Sequence, residues 1–248
     1  MVETALWGFV GGVSLLVGAL VGLFVRVPIR VVGLVMGFGV GVLISAVAFE
    51  LTGAAYDRAG TLPVVLGLSA GALTFYAGDW LIDRRGAESR KDPTGTSAGT
   101  GSSAATALVL GALLDGIPES AAIGVSLVGG GSVGMTVVIA VFLSNIPESL
   151  SASTGMRRDG RSVGYILRLW SLVVLASTVS AALGYGLLGG AGETTLAFTE
   201  TFAAGAVLTM LADTMVPEAV DHAGPAVGLA CVLGFICSFL LSAAAGGV

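Results

Sequence analysis

The hexapeptides "DGIPES" at 115–120 and "SNIPES" at 144–149 are near-copies 29 residues apart, each set in an otherwise apolar stretch. On a helix Asp115 and Glu119, four apart, share a face. Ser144 and Glu148 do the same, with Asn145 three residues before Glu148. Pro118 cannot donate to the carbonyl of Leu114, nor Pro147 to that of Leu143, so a kink and a freed carbonyl are expected beside each carboxylate. Three acids, an amide, a hydroxyl and backbone carbonyls form an oxygen ligand set suited to a divalent cation.

Composition says where that ligand set lies. The 248 residues are 55% hydrophobic and only 11% charged, with 39 glycines and a mean hydropathy of +0.96. Such a chain is an integral membrane protein, with the lipid bilayer as its solvent. The net charge is −5, and the basic residues form short clusters rather than a stripe, which argues against nucleic acid as a partner.

An ionised acid near the bilayer centre costs about 2.5–3.5 kcal/mol, so Asp115, Glu119 and Glu148 together would cost roughly 8–10 kcal/mol. No Lys or Arg falls at mid-depth in any apolar run. Protonation or a bound cation is left to offset the cost.

Runs long enough to cross about 30 Å of hydrocarbon fall at 5–25, 30–55, 62–82, 104–128, 133–156, 163–188, 197–220 and 224–245. The expected fold is therefore all-α with eight spans, forming a single transmembrane domain over 1–248. The first run has neither a basic leader nor a clear cleavage site and is read as a span, not a removable signal. Ten of the eleven Lys and Arg residues lie on one side of the alternation, with Arg58 alone opposite. By the positive-inside rule the basic loops are cytoplasmic and both termini extracytoplasmic. The expected location is a plasma membrane of prokaryotic type.

The polar segment 83–103, "DRRGAESRKDPTGTSAGTGSS", reads as a flexible cytoplasmic loop. Cys231 and Cys237 are six apart within one span and read as small apolar packers, with no disulfide or metal motif. His222, the single histidine, is expected in a solvated loop after span seven, with metal exit or pH sensing as the functional alternative.

Spans four and five carry the same motif in opposite senses, the pattern of an inverted repeat with its site at the midplane. "GVLISAVAFE" at 41–50 is echoed by "GAVLTMLADT" at 205–214, in spans two and seven, which also run oppositely. The expected arrangement is three spans, a two-span core and three inverted spans.

These features resemble the ZIP family of divalent metal transporters. Its motif H-N-x-P-E-G, followed by small apolar residues and I-G, is similar to "DGIPESAAIG", and its counterpart in span five to "SNIPESLSAS". "FAAGAVLTMLADTMVPEA" in span seven is similar as well, so the resemblance runs along all eight spans. It implies a 3+2+3 fold, homodimers, a metal centre bridged by Glu119 and Glu148, and alternating-access transport into the cytoplasm.

The departures from the family pattern concern ligands. Asp115 and Ser144 stand at its histidine positions, Gly116 replaces an asparagine, and "STVSAALG" in span six offers only Ser177. Without imidazole or thiolate the site favours Mn2+ or Fe2+, whereas the resemblance favours Zn2+. Glu50, Asp79, Asp213 and Glu218 are candidate access and exit stations, Glu218 favoured because Pro217 precedes it. An enzyme is not expected: there is no H-E-x-x-H, and one histidine near a span end cannot serve a buried nucleophile. The alternatives are a proton-coupled carrier of another small cation and a metal-selective channel. Aromatics at 7% do not suit an organic cation.

Overall fold

The structure, a computed structural model, describes residues 2–82, 84, 113, 116–128 and 133–244. The polar loop expected at 83–103, Arg84 apart, and residues 104–115 of span four, Leu113 apart, lie outside the described residues. Asp115 is among the latter. The described chain is helical, with no strand in it. Its helices are α1 (Val2–Phe24), α2 (Ile29–Ser45), α3 (Ala54–Ala59), α4 (Thr61–Ile82), α5 (116–126), α6 (Val133–Arg158), α7 (Val163–Leu188), α8 (Glu193–Met210), α9 (Val216–Ala223) and α10 (Ala226–Ala244). Among the described residues seven continuous helices are long and apolar enough to cross a membrane.

Two of those seven are compound. A π-helical segment, Ala46–Gly53, joins α2 to α3, and another, Leu211–Met215, joins α8 to α9. The results are 31-residue spans, Ile29–Ala59 and Glu193–Ala223. Both run past the ends expected at 55 and 220, because the helix keeps Asp57, Arg58, Asp221 and His222 in its last turn. Glycine stops it instead: Gly60 at φ 76° and Gly224 at φ 64° adopt a conformation that a β-carbon disfavours. The offset that aligns Gly41 with Gly205 also aligns Gly60 with Gly224, and at that offset the two π segments overlap.

Glycines also set the helix contacts. A β-carbon on Gly41 would collide with the Cys231 carbonyl of α10, and one on Gly234 with the Phe38 carbonyl of α2. The α4–α8 contact repeats the arrangement, with Gly205 on the Leu68 carbonyl and Gly71 on the Phe202 carbonyl. Small residues let backbones approach where lipid provides no hydrophobic drive between helices. α1 packs on α6 and α7, and Gly124 brings α5 onto the Ala181 carbonyl of α7. One buried cluster joins the second, fifth, sixth and eighth helices through Val40, Leu43, Ile123, Val141, Val207 and Met210. Leu62, Leu187 and Leu229 are 70%, 78% and 73% exposed, a surface fit for lipid. Trp80 at the end of α4 lies under the Arg84 guanidinium, 3.7 Å from ring centroid, as in an interfacial belt.

Candidate metal centre

Both hexapeptides are helical where described, and α6 continues through Pro147. Their terminal serines behave alike. Ser120 Oγ donates to the Gly116 carbonyl at 2.6 Å, and Ser149 Oγ to the Asn145 carbonyl at 2.8 Å, each four residues back on its own helix. Such bonds supply a second donor to carbonyls beside a proline and ease a bend. Ser144 Oγ donates to the Val141 carbonyl at 3.0 Å, so its hydrogen is committed and its lone pairs are what it offers a cation.

Gly11 of α1 is where α5 and α6 meet. A β-carbon there would lie 2.9 Å from Ile123 Cδ1 and 3.6 Å from Val141 Cγ1. The Gly11 carbonyl accepts the Asn145 Nδ2 hydrogen at 3.2 Å. Glu119 is one turn from Ile123 on the same face, as Asn145 is from Val141. Glu119 is 1% exposed; Ser144 and Asn145 are buried, while Glu148 is half-buried. Gly39 of α2 closes the far side, its position 3.1 Å from Ser144 Cα for an added β-carbon.

The remaining predicted residues are distributed around this core. Ser177 is buried on α7 with its hydroxyl 3.4 Å from a notional Gly116 β-carbon, so the two positions that depart most from the family pattern adjoin each other. Glu50 is buried within the first π segment, well inside the lengthened span, not at its rim. Asp79 is buried on α4, and Asp213 is exposed in the second π segment. Glu218 is half-buried and accepts a hydrogen bond from Ser151 Oγ of α6. Cys231 and Cys237 are free thiols on α10; Cys231 is half-buried, whereas Cys237, expected to pack, is exposed. Among the described residues no three His, Cys, Asp or Glu side chains are gathered closely enough to hold a metal. Asp115, which would complete the predicted ligand set, lies outside them.

His222 corrects the sequence reading. It belongs to the last turn of α9 and not to a loop, because the helix runs on to its glycine stop. Its β-carbon packs on Gly33, and both ring nitrogens are shielded with no hydrogen-bond partner among the described residues. The sequence reading also passed over Glu200, which is buried on α8 and ion-paired with Arg58 at 2.8 Å. The available signal was a lone acid in the apolar run "FTETFAAG" and a lone arginine on the same side of the membrane.

No family model and no curated protein matches the chain.

Proposed function

We propose that this protein is a divalent-cation transporter of ZIP type, which carries metal into the cytoplasm through a site between α5 and α6. Asp115, Glu119, Ser144, Asn145 and Glu148 supply the ligands, with Ser177 on the flank. The observation that carries the reading is the burial of Glu119, 1% exposed, one turn from the Gly11 contact that also receives Asn145. A carboxylate held at that depth in a membrane chain favours a bound cation, and buried amide and hydroxyl oxygens on the next helix suit the same ligand.

An eight-span 3+2+3 inverted repeat, with termini extracytoplasmic, is the matching architecture. Gly41 and Gly205 recur at the same offset as the Gly60 and Gly224 stops, Gly71 and Gly234 at one residue less, and the two π segments overlap at the first offset, which supports it. The basic residues support the orientation. The protein works as a homodimer in a plasma membrane of prokaryotic type, moves its substrate without bond-making chemistry and needs no prosthetic group. Oxygen donors favour Mn2+ and Fe2+, and the motif resemblance brings Zn2+ to the head of the screen.

Uptake into proteoliposomes, with Zn2+, Mn2+, Fe2+, Cd2+ and Mg2+ offered in turn, tests this. Wild type is expected to take up at least one of them, and Glu119→Ala and Glu148→Ala to abolish that flux while keeping the wild-type elution profile. A folded wild type that moves none of the five metals would overturn the proposal.

A further inference from the structure

The single histidine of the chain has no role in the site above, yet its surroundings are unusual. Glu218 and His222 are four residues apart and share a face of α9. The carboxylate is fixed from the neighbouring helix, where Ser151 Oγ donates to Glu218 Oε1. Among the described residues no hydrogen bond is made to Oε2. The imidazole is one turn on from the same carboxylate, and its two nitrogens are shielded and carry no hydrogen bond among the described residues. Gly33 of α2 makes room for it: any side chain there would press on the His222 β-carbon and the Ala219 carbonyl.

The other end of the molecule supplies an internal comparison. The offset that aligns Gly60 with Gly224 places Arg58 opposite His222 and Glu200 opposite Met36. Arg58 is satisfied by Glu200. His222 packs on Gly33 of α2 instead, and α2 carries no acid that could take up its nitrogens. Ring nitrogens shielded from water and without a hydrogen bond among the described residues are costly, and a cation shared with a carboxylate removes that cost.

We infer that Glu218 and His222 form a second cation-binding station, with Ser151 as the group that orients the carboxylate. It stands one turn beyond Glu148 along α6, on the same face as Ser151 and toward the Arg157 and Arg158 end. This rests on the transport reading, in which it receives metal from the central site on its way to the cytoplasm. One imidazole, one carboxylate oxygen and waters suit Zn2+, Fe2+ or Mn2+, and so few protein ligands suit release.

Because the chain has one histidine, its ring is a residue-specific reporter. Full-length protein without a histidine tag, labelled with 15N at histidine and held in nanodiscs, would be titrated with Zn2+. The expected result is a saturable shift of the ring nitrogens that survives Glu119→Ala and Glu148→Ala and disappears in Glu218→Gln. Ser151→Ala should weaken it by roughly tenfold, as loss of an orienting partner does. Ring resonances indifferent to Zn2+, in wild type that takes up metal in proteoliposomes, would overturn the station and leave transport standing. A ring shift in protein that moves no metal would overturn transport and leave the binding site. A shift that persists in Glu218→Gln would remove the carboxylate from the site and overturn the pairing.

Discussion

Arg58 donates from one terminal guanidinium nitrogen to both carboxylate oxygens of Glu200, each at 2.8 Å, and so ties the last turn of span two to α8. A second carboxylate, Glu193 Oε2, lies 3.2 Å from Arg58 Nε but is largely exposed. The two partners are not equally placed. The Glu200 side chain is 3% exposed and that of Arg58 21%. Arg58→Ala should therefore strand a buried acid and cost about 3–5 kcal/mol, the range for breaking a buried pair. Glu200→Ala leaves an arginine that still reaches Glu193 and water, so its loss should be nearer 1.5–3 kcal/mol, roughly that of a charged hydrogen bond. Thermal unfolding of the purified protein in detergent orders the two variants. A larger loss in Glu200→Ala would contradict this account of the pair.

The glycine contacts predict a second pattern. Gly41→Ala and Gly205→Ala each drive a methyl group into a carbonyl of the facing helix, so each should destabilise by about 1–3 kcal/mol or more. Gly228 on α10 has nothing within 4 Å of its β-carbon position, and Gly228→Ala should be neutral or gain up to about 1 kcal/mol from helix propensity. At roughly 2–4 °C per kcal/mol for a chain of this size, unfolding midpoints separate the two classes. Equal midpoints for Gly41→Ala and Gly228→Ala would show that α2 and α10 do not approach as closely as the structure has them.

The spans were legible in the sequence because hydrocarbon demands about 20 apolar residues at a stretch, and the described helices fall within a few residues of those expected. Their ends were less so. Asp57 and Arg58, like Asp221 and His222, read as loop by polarity alone, although a helix at the interface carries such groups at little cost. Thirty-nine glycines cannot be ranked from composition, so the four that fix α2 on α10 and α4 on α8 emerged only from the packing. Within the candidate site, the face that Ser144 shares with Glu148 was readable from the second hexapeptide, while Asp115 of the first lies outside the described residues. The partners were not: Asn145 reaches Gly11 across 134 residues and Arg58 reaches Glu200 across 142, separations that no local pattern encodes.

Asn145 joins the site to α1, which gives a third prediction. Its Nδ2 donates to Gly11 while its side-chain oxygen is the ligand candidate. Asn145→Ala should lose about 1 kcal/mol of stability for the hydrogen bond and also lower metal uptake. Asn145→Asp keeps the oxygen but sets a carboxylate against the Gly11 carbonyl, so it should be the less stable of the two. Uptake and melting measured on the same preparations decide the matter. An aspartate variant as stable as wild type would show that the Gly11 contact does not orient the amide.

Metal preference gives the last prediction. Every donor in the proposed central set is oxygen, from Asp115, Glu119, Ser144, Asn145 and Glu148, and such sets favour harder cations over Zn2+. Position 115 is where the resembled family carries histidine. Asp115→His would exchange one hard anionic ligand for a neutral imidazole and also remove a negative charge, both of which disfavour Mn2+ more than Zn2+. The ratio of Zn2+ to Mn2+ uptake, measured by competition in proteoliposomes, should rise on the order of tenfold, equivalent to about 1.4 kcal/mol of relative affinity. Glu119→Ala carried in parallel keeps the comparison tied to the central site. An unchanged ratio in an Asp115→His protein that still transports would mean that residue 115 does not touch the metal, and the ligand set would then have to be sought on Glu119, Glu148 and the α6 amide alone.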